Sequence, residues 1–122
     1  MIHEDVTEKI IGCSLEVHRE LGPGLLEGVY ESALAIEFFR HGMRFQRQMP
    51  LKILYKGENI GEYRIDMMVE NAVVVELKST ERHDPVFEAQ LLSYMKLGGY
   101  KVGLLINFNS AMLMKGIKRF VL

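Results

Sequence analysis

One short run restricts this chain more than any other: Val73-Val74-Val75-Glu76-Leu77-Lys78. Three consecutive valines ask for a strand buried on both faces, as at the centre of a sheet. Glu76 and Lys78 then interrupt the apolar pattern. Side chains alternate along a strand, so these two project from the same face. A carboxylate and an ammonium near a sheet centre are costly unless they are paired or bound to a metal. A surface ion pair on an edge strand accounts for the same two residues, and the run alone does not choose between them.

A second carboxylate interrupts the strand before it. Asp66 lies inside Tyr63-Arg64-Ile65-Asp66-Met67-Met68-Val69. In an antiparallel hairpin, directly opposed residues point to one face. Asp66 opposes Glu76 only if the turn is centred on Asn71, with an odd loop such as Glu70-Asn71-Ala72. A two-residue loop at Glu70-Asn71 would set Asp66 against Val75. The odd loop is the expectation, because it joins the carboxylates and because asparagine tolerates the left-handed backbone such a loop needs.

Around this hairpin the hydrophobic period predicts the remaining elements. Val6, Ile10, Cys13, Val17 and Leu21 recur at helical steps, giving a helix over about Asp5–Glu20 that stops at Leu21-Gly22-Pro23-Gly24. A second helix follows over about Leu25–His41, with Leu26, Tyr30, Leu34 and Phe38 as its buried stripe and Gly42 placed for a left-handed cap. Alternation from Phe45 through Tyr55 predicts a strand, with Pro50 at an edge or bulge. Lys56-Gly57-Glu58-Asn59 turns the chain into a strand over Ile60–Val69, and Ala72–Lys78 is the next. A third helix begins near Pro85, with Asp84 as N-cap, and ends at Leu97-Gly98-Gly99. Strands over Tyr100–Asn107 and Met112–Val121 complete an α-α-β-β-β-α-β-β order. With 122 residues, 48% of them hydrophobic, and no linker or repeat, residues 1–122 read as one α/β domain built on a mixed sheet.

Two carboxylates and a lysine on adjoining strands suit a hard divalent cation. Mg²⁺ and Mn²⁺ take oxygen ligands, commonly a few carboxylates plus waters and substrate phosphate. Lys78 is suited to hold a phosphate or offset developing negative charge. Glu27 falls in the first turn of the second helix, where the helix dipole alone favours a carboxylate. Gln90 and Tyr94 stand four apart on the third helix and share a face.

In chain order these residues form a pattern. Gly24-Leu25-Leu26-Glu27-Gly28-Val29-Tyr30 resembles the signature of the GxxExxY protein family, which is grouped with the PD-(D/E)XK nuclease superfamily. Asp66, Glu76-Leu77-Lys78, Gln90-x-x-x-Tyr94 and Gly103-Leu104-Leu105-Ile106-Asn107-Phe108 follow in the family's order. The resemblance covers nearly the whole chain. It implies a restriction-endonuclease-like core, a central mixed sheet flanked by helices. It also implies Glu27, Asp66 and Glu76 as ligands of Mg²⁺ or Mn²⁺, Lys78 as the superfamily lysine, and Gln90 and Tyr94 as the helix motif of exonuclease-like members. All six would then be catalytic. Ile65 stands where many members have proline. No acidic or lysine position is lost.

The implied activity is metal-dependent hydrolysis of phosphodiester bonds in DNA, with RNA as the other nucleic-acid candidate. The net charge of −1 supports no binding by bulk positive charge. The basic stretches Arg40, Arg44, Arg47, Lys52, Lys56 and Lys115, Lys118, Arg119 read by charge alone as solvated surface. This leaves a non-catalytic nucleic-acid- or protein-binding module as the alternative on the same fold. A structural protein whose polar strand residues are surface ion pairs is a third reading, and Asp66 and Glu76 on opposite sheet faces would favour it. Small nucleases that cut duplexes often act as homodimers, and the sequence leaves the oligomeric state open. His3, His18, His41 and His83 are scattered without zinc spacing, and no glycine run has phosphate-loop spacing. Cys13, the single cysteine, sits in an apolar helical pattern and reads as a small core residue. Without a leader-like start or an apolar run long enough for a bilayer, the expectation is a cytoplasmic protein that makes no membrane contact.

Overall fold

The computed structural model describes residues 2–122. Helices α1 (Glu4–Leu21) and α2 (Glu27–Arg40) precede strands β1 (Phe45–Tyr55), β2 (Glu58–Val69) and β3 (Val73–Lys78); α3 (Pro85–Gly98), β4 (Val102–Asn107) and β5 (Ile117–Val121) follow. The strands form one sheet in the order β1-β2-β3-β4-β5. β3 and β4 run parallel and are joined through α3, and every other neighbouring pair is antiparallel. This is the expected α/β architecture with a mixed sheet. Pro50 lies on β1, an edge strand of the sheet, where proline is best tolerated.

Each sheet face carries a separate core. On one side α1 and α2 pack Ile10, Val17, Tyr30, Leu34 and Phe38 against Met67, Val69, Val73, Val75, Leu77 and Ile106. On the other, α3 packs Leu91, Tyr94 and Met95 against Ile65, Met68, Val74 and Leu105. β3 is therefore covered on both faces, as its valines require. Gly103 lets α3 lie close over β4: a Cβ there would meet the Met95 sulfur at 2.6 Å and a Leu91 methyl carbon at 3.0 Å. Cys13 is buried in the first core, and burial, then the nearby Glu37, raises its thiol pKa. It is a packing residue. Among the described residues no helix is long and apolar enough to cross a membrane.

β2 begins at Glu58 and β4 at Val102, each two residues from the expected start, and two further boundaries differ for a visible local reason. The expected last strand over Met112–Val121 begins only at Ile117, because Leu113–Gly116 closes a 3₁₀ helical turn in which the Lys115 N–H donates to the Met112 carbonyl at 3.1 Å. α2 starts at Glu27 instead of Leu25, since the Leu25 N–H donates to the Tyr30 hydroxyl (3.1 Å) and stays outside the helix. The third helix starts as expected: Asp84 accepts a bond from the Val86 N–H at 3.0 Å, and Pro85 opens the first turn.

Candidate active site

The β2–β3 hairpin has the odd loop. Met67 opposes Val75, Met68 opposes Val74 and Val69 opposes Val73, which leaves Glu70-Asn71-Ala72 as the connection. Glu70 and Asn71 both take the left-handed backbone, at φ +53° and +51°. The next positions in that register are Asp66 and Glu76. There the regular ladder ends and side chains replace it. The Asp66 N–H donates to Glu76 Oε1 at 3.2 Å, and the Leu77 N–H donates to Asp66 Oδ2 at 2.8 Å. The two strands part at this fork, and two carboxylates fill it. β2 also turns over here: Met67 faces the α1–α2 core, whereas Ile65, two residues earlier, faces the α3 core.

Glu76 is 7% exposed. Burial, reinforced by the charge of Asp66, pushes its pKa up to about 9, against the smaller opposing pull of the Asp66 N–H and Lys78. Two carboxylates this close cannot both ionise cheaply. Lys78 projects from the same strand face, and its Nζ lies 4.4 Å from the centre of the Phe87 ring. Glu27 joins from the start of α2. Partial burial raises its pKa most, Asp66 adds to the rise, and Lys78 and a hydrogen bond from the Ser79 N–H oppose it. Tyr94 reaches the same neighbourhood from α3. Its hydroxyl pKa is raised by burial first, then by Glu76, Tyr63 and Asp66, so it stays a neutral donor at physiological pH. The structure thus brings Asp66 and Glu76 into direct contact and sets Glu27, Lys78 and Tyr94 within their electrostatic reach. Gln90 stands apart, exposed on α3, with no side-chain hydrogen bond among the described residues.

Two further residues belong to this cluster. Glu31, one helical turn beyond Glu27, is 7% exposed and accepts from Arg47 Nε at 2.9 Å and from Gln48 Nε2 at 2.5 Å. The same Gln48 amide donates to Asp66 Oδ1 at 3.3 Å. It therefore bridges the buried helix carboxylate and the strand carboxylate. Gln48 sits opposite the point where β2 turns over, bracketed by Arg47↔Met67 and Met49↔Ile65, and its φ is +50°. A glutamine in that conformation is strained, and its side-chain bonds hold it there. Gln48→Ala is expected to lower stability by about 1–3 kcal/mol, because a buried carboxylate loses a donor. Gln48→Gly should lose about 1 kcal/mol less, since glycine relieves the backbone. Urea unfolding of both variants checks this, and equal losses would show that the backbone is not strained.

The donor set at the fork suits a hard cation: all oxygen, one carboxylate deeply buried, and more negative charge than the site can hold unaided. Among the described residues no three aspartate, glutamate, histidine or cysteine side chains converge closely enough to cage an ion. Glu27 therefore does not close a three-ligand cage with Asp66 and Glu76. A Mg²⁺-type ion needs no such cage, since one or two carboxylates, waters and substrate phosphate commonly complete its shell.

The family model described as the PD-(D/E)XK nuclease superfamily matches residues 4–120. No curated protein and no solved structure matches the chain.

Proposed function

The chain belongs to the PD-(D/E)XK nuclease superfamily, and from that premise we propose that it is a Mg²⁺- or Mn²⁺-dependent nuclease that hydrolyses phosphodiester bonds of DNA, with RNA as the second substrate class. The observation that carries the proposal is the buried Glu76 carboxyl bonded to the Asp66 backbone at a strand fork, with Lys78 on the same face. Asp66 and Glu76 would hold the ion, and Glu27 would add its charge from the α2 end. When bound, the cation polarises the phosphoryl oxygen and makes a water more acidic.

The other roles fall to the chain itself. Lys78 offers a fixed positive charge to the arriving phosphate and offsets charge developed as the bond breaks. Its ammonium is held over Phe87, which limits the conformations it must give up on binding. The protonated Tyr94 hydroxyl and the unpartnered Gln90 amide present donors from α3 toward a bound strand. Gln48 keeps Asp66 oriented. The lack of a ready three-ligand cage favours one competing reading, a module that binds nucleic acid without cutting it.

Metal titration separates the two. The nuclease reading expects cleavage of single-stranded, duplex or branched substrates with Mg²⁺ or Mn²⁺ and none with a chelator. It expects Asp66→Ala to weaken Mn²⁺ binding by at least about tenfold. Lys78→Met should lower kcat by about 10²-fold and leave Mn²⁺ affinity intact, the signature of charge stabilisation in the transition state. Binding that is indifferent to metal, with no cleavage of any substrate, would leave the binding module.

A further inference from the structure

The two basic stretches of the sequence meet different fates in the fold. In the first, Arg44 is paired with Glu70 and Arg47 with Glu31. In the second, the 3₁₀ turn and β5 carry Lys115 and Lys118 to an open cleft of about 290 Å³ whose other walls include Lys78, Phe87, Asn107 and Ser110. Lys78 is thus shared between this cleft and the carboxylate fork. Glu81 and His83 also line it. His83 is engaged with Glu88, and Lys118 Nζ donates to the same carboxylate at 2.9 Å. That contact ties β5 to α3 and fixes Lys118 at the rim.

The polar groups of the cleft divide into used and unused. Asn107 is engaged with the chain: its side-chain oxygen accepts from the Thr80 and Asn109 N–H groups, and its amide donates to the Thr80 carbonyl at 3.0 Å. It shapes the wall. The Lys115 ammonium and the Ser110 hydroxyl have no hydrogen-bond partner among the described residues. A cation and a hydroxyl donor left unpaired beside Lys78, in a cleft whose lysines outnumber its one lining carboxylate, match a phosphate oxygen.

We propose that this cleft binds the nucleic-acid phosphate neighbouring the one that Lys78 meets, with Lys115 and Ser110 as its donors and Lys118 at the rim. The substrate class rests on the nuclease reading, but the cleft can be tested without catalysis. Binding of a short fluorescent DNA strand to the full chain is measured with a chelator present, from about 50 to about 200 mM salt. Lys115→Ala is expected to weaken binding by about three- to tenfold and to reduce the slope of log affinity against log salt by about one. Lys101→Ala, the same charge change at the start of β4 and the other end of that strand from Asn107, serves as control and should leave the slope unchanged. No measurable binding, or equal effects from the two substitutions, overturns the proposal. Metal-dependent cleavage with an unaltered slope in Lys115→Ala removes the cleft and spares the nuclease; slope-dependent binding without cleavage does the reverse.

Discussion

Glu76→Gln is expected to abolish cleavage and, at neutral pH without metal, to yield a protein that is harder to unfold. The activity loss should be about 10³-fold or more, because a neutral amide cannot supply the charge that a divalent cation needs at the fork. The stability gain follows from the raised pKa. An ordinary glutamic acid titrates near 4.5, whereas Glu76 in the folded protein titrates near 9. Between those values the folded state keeps a proton that the unfolded chain has released. Stability therefore falls as pH rises through that window, by at most about 1.4 kcal/mol per pH unit, and levels off above it. By pH 7 the upper bound of the loss is about 3 kcal/mol. Glutamine is neutral at every pH and can still accept from the Asp66 N–H.

Thermal unfolding with a chelator checks the sign. The wild type should lose stability from pH 5 to pH 8, and Glu76→Gln should stay nearly flat over the same range. At pH 7 the variant should melt higher, by about 4 °C for each kcal/mol recovered. Adding Mn²⁺ should then raise the wild-type Tm and leave the variant where it was. A variant that melts below the wild type at pH 7 would mean that the buried carboxyl is not under electrostatic strain. The expected opposition between activity and stability is the usual one for a site that holds charge in a place the fold alone would leave apolar.

The fork was legible in the sequence because strand parity is rigid. Once Asp66 and Glu76 are required to share a face, the loop must be odd, and Asn71 is one of the few residues suited to its backbone. The helices were legible where apolar residues recur at helical steps. Glu31 and Gln48 were not. Glu31 sits next to Tyr30 in a helix read for its apolar stripe, and its burial depends on Arg47 and Gln48 arriving from a strand that local pattern does not place beside it. The usable signal was its position four residues after Glu27, on the same helix face. Gln48 looked like one more polar residue in an alternating strand, since nothing local marks its left-handed backbone. Lys115 and Lys118 read as solvated surface because charge counts carry no direction. The 3₁₀ turn, which replaced the first part of an expected strand, brings Lys115 beside Lys78, and β5 brings Lys118.

Tyr30→Ala is expected to cost about 3–5 kcal/mol, and Tyr30→Phe about 1–3 kcal/mol, out of a total that for a domain of this size is only about 5–15 kcal/mol. The ring is fully buried and stacks on Phe108 at 4.4 Å between centroids and 11° between planes. The hydroxyl donates to the Gly22 carbonyl at 2.5 Å and accepts from the Leu25 N–H at 3.1 Å. It thereby closes the α1–α2 loop over a backbone that only glycine enters easily, with φ of +68° at Gly22 and +101° at Gly24. From that loop the Leu25 carbonyl accepts the Ser79 hydroxyl, so the loop is moored to the end of β3. The spacing of Gly24, Glu27 and Tyr30 has a physical reason on this account: the glycine makes the turn, the tyrosine locks it from the first turns of α2, and the glutamate between them is held toward Lys78 and Asp66. Tyr30→Phe keeps the stacked ring and removes both hydroxyl bonds, so it isolates the latch from the packing. Its nuclease activity should fall by more than its small loss of folded population explains, whereas conservative changes elsewhere in the same core, such as Leu34→Met, should lower stability by under about 1.5 kcal/mol and leave activity per folded molecule unchanged. Urea unfolding and cleavage rates measured side by side decide it: a Tyr30→Phe protein within about 0.5 kcal/mol of wild type, with full activity, would show that the loop holds Glu27 without the hydroxyl.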